Sequence, residues 1–218
     1  MPIPDRRAAA TLLTSLEPPP WFLRHACAVA DVAAWLAGRM LAQGVPVDVT
    51  LAMTAALLHD VDKLPRAAVP ARLRHGDGSA AWLEAHGLGE LAPVVRDHPV
   101  TRLAEPGWDT WIRSASPEAR IVAYADKRAG QRLETMDERF ASWRRRYPTG
   151  PSAGMRGGPT DASAGDVRTD DGWTDDVAAL VKARAGDLER LVCAAAGVSP
   201  PAVRRLRWSR RAILQASA

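Results

Sequence analysis

Apolar residues recur every three or four positions along most of this chain, and no clear alternating apolar and polar run is bounded by Asn-Gly or Asp-Gly turns. That period belongs to amphipathic helices, not to half-buried strands. Trp21 to Leu41 reads as one helix, opened by Pro18 to Pro20 and stopped near Gly44, with His25, Val29, Val32 and Leu36 on a single stripe. Val49 to His59 is apolar nearly all round, which predicts a central helix. Ser79 to Ala85 and Glu90 to Arg96 read as shorter helices. Ser116 is an N-cap residue with Pro117 at the first helical position, and the helix it opens runs through Ala129 with Val122, Asp126 and Ala129 aligned. Leu133, Met136, Phe140 and Trp143 then mark another helix that ends before Pro148.

The pattern breaks over Pro148 to Gly172, a stretch rich in Gly, Pro, Ser and Asp that offers almost nothing to bury. It predicts a flexible loop. Helical spacing resumes from Trp173 to Ala196, with Val177, Leu180, Leu188 and Leu191 as its apolar residues and Gly197 as its stop. Pro200 and Pro201 open a last helix. The expected architecture is therefore all-α, with a helical domain over 1–147, a loop over 148–172, and a C-terminal helical extension over 173–218 packed on the first domain.

The 218 residues fit one domain with an appendage, and a hydrophobic content of 47% suffices for a core. The formal net charge is +4, which suits anionic ligands such as nucleotides but also occurs in proteins that bind no polyanion. Cys27 and Cys193 are too few for a disulfide framework, so a reducing cytoplasm is the expected location. The N-terminal MPIPDRRAAATLLTSLEPPP carries Asp5 and ends in three prolines, unlike a signal peptide. No run approaches the ~18 apolar residues of a membrane helix, so no membrane partner is expected.

The chemistry concentrates in a few residues. ALLHDVDK, Ala56 to Lys63, runs two leucines directly into His59 and Asp60. The other histidines are His25, His75, His86 and His98, and Asp126 lies on the apolar stripe of IVAYADKRAG. A buried carboxylate is costly unless paired or bound to a cation. His25 alone reads more simply as a core histidine with a satisfied hydrogen bond. Taken with the His59–Asp60 pair and Asp126, it reads as part of a cation site, and imidazole with carboxylate suits iron, manganese or zinc. His86, before Gly87 at a helix end, reads as a capping or surface residue.

The order His25, His59-Asp60, Asp126 on helices, with Lys63 completing HDVDK, resembles the HD superfamily of metal-dependent phosphohydrolases over roughly Trp21 to Tyr147. His75 before a glycine, His98 in RDHPV and the phrase IVAYADK are similar to the subset with two metals, the bacterial symmetrical diadenosine-tetraphosphate hydrolases. That resemblance implies a helical HD bundle and two transition metal ions, iron or manganese. One ion would be held by His25, His59, Asp60 and Asp126, and the second by His75 and His98, with Asp60 bridging. It also implies a nucleotide or other phosphorylated small-molecule substrate, with a metal-bound hydroxide attacking phosphorus. Asp62 stands where small or apolar residues are common in these enzymes, and the expectation is an added negative charge near the phosphate.

Lys63 lies one turn beyond His59 and is a candidate for neutralising a substrate phosphate, the alternative being a solvated lysine. Arg128 and Arg132 follow Asp126 at short spacing and are further candidates for substrate binding. Trp108 and Trp111 read as core or lid residues, one of which could stack on a base. The run Arg204, Arg205, Arg207, Arg210, Arg211 with Trp208 admits nucleic-acid binding, but a solvated helix face is the favoured reading. Three functions remain open: cleavage of dinucleoside tetraphosphates, a nucleotide or phosphomonoester phosphatase, and a non-catalytic nucleotide- or nucleic-acid-binding module.

Overall fold

A computed structural model describes residues 2–130, 132–148 and 173–206. Among them ten α-helices form in the order α1 (Arg6–Ser15), α2 (Pro20–Ala42), α3 (Val49–Leu58), α4 (Asp77–Ala85), α5 (Ala92–Val95), α6 (Trp108–Ser114), α7 (Pro117–Arg128), α8 (Met136–Arg146), α9 (Asp175–Ala195) and α10 (Pro200–Arg204). Short 3₁₀ turns occupy Val61–Lys63, Pro65–Ala67 and Val100–Ala104. No strand occurs among the described residues, so the all-α expectation holds. Residues 149–172 of the loop expected over 148–172, and the basic tail from Arg207 onward, lie outside the described residues.

The centre is α2 against α3, with α7 packed on both. The sequence dictates this. Phe22, Val29, Val32 and Leu36 of α2 are fully or almost fully buried, and so are Ala52, Ala55, Leu57 and Leu58 of α3. The alanines bring the helix axes close. The starts are chemically specified. Asp48 accepts from Leu51 N at 2.9 Å to open α3, and Ser116 accepts from Ala119 N with Pro117 at the first position of α7. The pattern above does not include α1, which Asp5 caps and which packs on α3.

On α9 the buried face differs from the expected one. Ala178, Val181, Ala185, Leu188 and Val192 face inward, while Leu180 and Leu191 are 39% and 41% exposed. The inward face is alanine-rich and includes Arg184, whose guanidinium donates to the carbonyls of Leu103 (2.8 Å) and Glu105 (2.9 Å). Of the four large aliphatics expected inward, Leu188 is buried and Val177 packs on the core, while Leu180 and Leu191 stay exposed.

A buried polar cluster fastens the C-terminal helices to α7. Arg128 donates to Glu189 Oε1 (2.8 Å), Pro200 O (3.2 Å) and Glu134 O (2.7 Å), and Tyr124 OH donates to Glu189 Oε1 (2.9 Å). Burial pushes the Tyr124 phenol above its ordinary value, against the opposing pull of Arg128. A phenol whose folded pKa is raised leaves stability untouched below about pH 10 and erodes it above, because only the unfolded chain then ionises. In an alkaline titration of tyrosinate absorbance, the Tyr124 phenol should ionise only as the protein unfolds. Two tyrosines ionising reversibly with helicity intact would contradict the buried position.

Candidate metal centre

The centre lies where α3 ends. Helix α3 stops at Leu58, His59 is its C-cap, and Asp60 starts the Val61–Lys63 turn. Both side chains are almost completely buried, His59 at 0% and Asp60 at 2% exposure. His25 arrives from the apolar stripe of α2, Asp126 from α7, His75 from the turn before α4, and His98 from the turn after α5. All six predicted donors meet there.

Their donor atoms fall into two groups. His25 Nε2 lies 3.4 Å from Asp60 Oδ2, 3.3 Å from Asp126 Oδ1 and 3.2 Å from His59 Nε2. His59 Nε2 lies 3.4 Å from Asp60 Oδ2. On the other side His98 Nε2 is 3.1 Å from Asp60 Oδ1 and 3.2 Å from His75 Nε2, which is itself 3.3 Å from Asp60 Oδ1. One oxygen of Asp60 thus belongs to each group.

Hydrogen bonding alone does not account for this packing. Among the described residues the acceptor at His59 Nδ1 is Ala56 O (2.7 Å), and at His98 Nδ1 it is Val95 O (2.6 Å), so both δ nitrogens carry the hydrogen. In the neutral His98 ring the Nε2 then presents a lone pair toward the Asp60 carboxylate oxygen. Burial pushes His98 down to about 4 despite its contact with Asp60, so it takes up no proton near neutrality. Acceptor facing acceptor in a buried site is repulsive unless a cation sits between them. Donors spaced this way match neighbouring ligands around a metal, where bonds of about 2.1 Å place ligand atoms roughly 3.0–3.4 Å apart. Among the described residues, His25, His59 and Asp126 form one set that could hold an ion, and His59, Asp60 and His98 another. The donor set therefore fits a transition metal. Burial would lower His25, but hydrogen bonds to Asp126 and Asp60 raise it to about 9. A cation must displace that proton, which ties metal affinity to pH.

The HD domain family matches residues 22–130, half of the chain. The chain belongs to the HD domain family. Neither curated proteins nor solved structures gave a match. The HD pair for which the family is named is thus the hinge of this centre, at the C-terminus of a buried helix.

Lys127 escaped the sequence reading, and Asp62 has a role beyond the one expected of it. Asp62 lines the cavity, and it also serves the donor cluster itself. Its carboxylate accepts from His75 Nδ1 (3.0 Å) and Gly76 N (2.9 Å), so it orients the histidine. Lys127 is fully buried and donates to His98 O (2.6 Å) and Ala123 O (3.2 Å), fixing the backbone beneath another donor. Burial draws its pKa down to about 8. A lysine directly after Asp126, on a helix buried on several faces, was the available signal.

A cavity of about 550 Å³ opens above the centre, and His25, Asp60, Lys63, His75 and Asp126 line it. Lys63 Nζ lies 3.0 Å from Asp60 Oδ2. Burial lowers its pKa, but Asp60 and Asp126 outweigh that and the net direction is up, so the charge persists. The placement of Arg128 and Arg132 corrects the substrate-binding expectation. Arg128 is 1% exposed and spent on Glu189 and Pro200, because two helical steps from Asp126 turn it to the far side of α7. Arg132 is exposed and near Glu134 and Glu138, outside the cavity. Trp108 is buried against Trp111, and neither lines the cavity. His86 stacks on Trp82 at the end of α4, outside the cluster as expected.

Proposed function

We propose that this HD domain protein is a metal-dependent hydrolase of nucleotide phosphate bonds, with symmetrical cleavage of a dinucleoside tetraphosphate as the leading specific substrate. The observation that carries the reading is the division of Asp60 between two donor groups on the floor of a nucleotide-sized cavity. When bound, paired iron or manganese ions supply Lewis acidity and a water made nucleophilic at neutral pH. The residues supply the rest. Asp60 ties the two groups to one rigid turn. His59 and His98 are held by backbone carbonyls and do not swing. The buried walls keep the dielectric low, which strengthens every charge aimed at the reacting phosphoryl group. Lys63 keeps its proton beside Asp60 and offsets charge gathering on the phosphoryl oxygens.

The test is product analysis with diadenosine tetraphosphate, beside Lys63→Ala. Symmetrical cleavage yields ADP alone. Lys63→Ala should lower kcat about 10²-fold with metal content unchanged. AMP and ATP as products would overturn the symmetrical assignment. Unchanged kcat and KM would remove Lys63 from the mechanism. Full metal loading without turnover of any phosphate ester would leave a nucleotide-binding module.

A further inference from the structure

We propose that α8 is the wall that reads the length of the substrate's phosphate chain, through Arg139 and Arg146. This rests on the reading of the cavity as a phosphate-substrate site. Helix α8 lies beyond residues 22–130, so it is no part of the matched domain. A reciprocal capping box opens it, with Thr135 and Glu138 each bonded to the other's backbone N–H. Arg139 and Arg146 are two turns apart, which sets them on one face. Both line the cavity that contains His25, Asp60, His75 and Asp126.

The arginines at the end of α8 have different occupations. Arg144 pairs with Asp175 at 3.0 Å, and Arg145 donates to Ser142 Oγ at 2.9 Å. Arg146 is exposed, lies 5.8 Å from the centroid of Tyr147, and has no carboxylate partner among the described residues. Arg139 rests over Trp143 at 5.6 Å, its nearest carboxylate oxygen is 3.6 Å away on Glu134, and its buried Nε has no hydrogen-bond partner among the described residues. With Lys63, three cationic side chains line one cavity. A single phosphoryl group on the floor engages the donor cluster and Lys63, and leaves Arg146 without a carboxylate among the described residues and Arg139 with only the 3.6 Å pair to Glu134. A ligand with further linked phosphates supplies counter-charge, since guanidinium forks match phosphate oxygens. A nucleoside di- or triphosphate group fits the cavity volume, and the ring of Trp21 on the cavity wall offers a surface for a base.

The experiment is calorimetric binding of adenosine 5′-monophosphate and of the imido analogue of ATP to metal-loaded full-length protein. Wild type, Arg146→Gln and Arg139→Gln/Arg146→Gln are compared, with metal content re-measured after titration. In the wild type the triphosphate should bind at least about tenfold tighter than the monophosphate. In the double variant the two ligands should bind within about twofold of each other, and Arg146→Gln, at an exposed position, should lose part of the gain without loss of fold. Equal binding of both ligands by the wild type, or a full gain retained in the variants, overturns the proposal. A wild-type gain without hydrolysis of any phosphate ester would overturn the hydrolase reading and leave the arginine wall standing.

Discussion

Replacing Asp60 with alanine should take metal content from about two ions per chain to below one, and lower turnover by more than the ~10²–10³-fold expected for losing one electrostatic donor. Among the described residues, Asp60 is the only one whose two oxygens face both donor groups. Its removal leaves His25, His59 and Asp126 on one side and only His75 and His98 on the other. Two imidazoles without a carboxylate are a weak anchor, and the first group loses one of two negative charges. Lys63 also loses its 3.0 Å partner, which leaves more net positive charge on the floor where a cation would bind. The check is elemental analysis of the desalted variant with turnover measured on the same sample. Full metal content in Asp60→Ala would show that the carboxylate does not bridge.

The second large effect is expected at a residue that touches no metal. Gly76→Ala should destabilise the protein by about 3 kcal/mol or more and weaken the His75 side of the centre. Gly76 has φ 87° and ψ −48°, a conformation that L residues rarely adopt. A Cβ there would lie 2.3 Å from the carbonyl oxygen of Arg96 and 3.0 Å from the ring of Pro99. A backbone carbonyl cannot swing aside as a flexible side chain does. Relief requires the turn to shift, and the turn carries His75 on one side and donates the Gly76 N–H to Asp62 on the other. Gly38 is the control, because a Cβ on its helical position meets nothing within 4 Å. Gly38→Ala should be neutral or stabilising by up to about 1 kcal/mol. Urea unfolding of both variants with metal analysis decides the matter. A Gly76→Ala protein as stable and as metal-rich as wild type would contradict this account of the turn.

These two residues also mark what was legible in the sequence. Asp60 announces itself, because a carboxylate that ends a run as apolar as Ala56–Leu58 demands a partner. Four further donors are recognisable because histidines are scarce, and Asp126 because its stripe is otherwise apolar. Helix starts at Asp48 and Ser116 carry their own local chemistry. Direction is harder to read than identity. Asp62 looks like a neighbour of Asp60 along the chain, yet it bonds to His75 thirteen residues on. Arg128 is two residues from Asp126 and faces the opposite way. On α9, small alanines pack inward while Leu180 and Leu191 stay exposed, a result of close approach to α7 that hydrophobicity does not encode. The arginines of α8 acquire a candidate role only when the fold sets that helix beside the cavity.

The most direct test of the central claim is the metal content of wild type and His75→Ala, purified without chelators and without oxygen. The account predicts about two equivalents of iron or manganese in the wild type and about one in His75→Ala, since only the His75–His98 side loses a donor. One equivalent in both proteins would contradict the divided role of Asp60. None after reconstitution would contradict the metal centre itself.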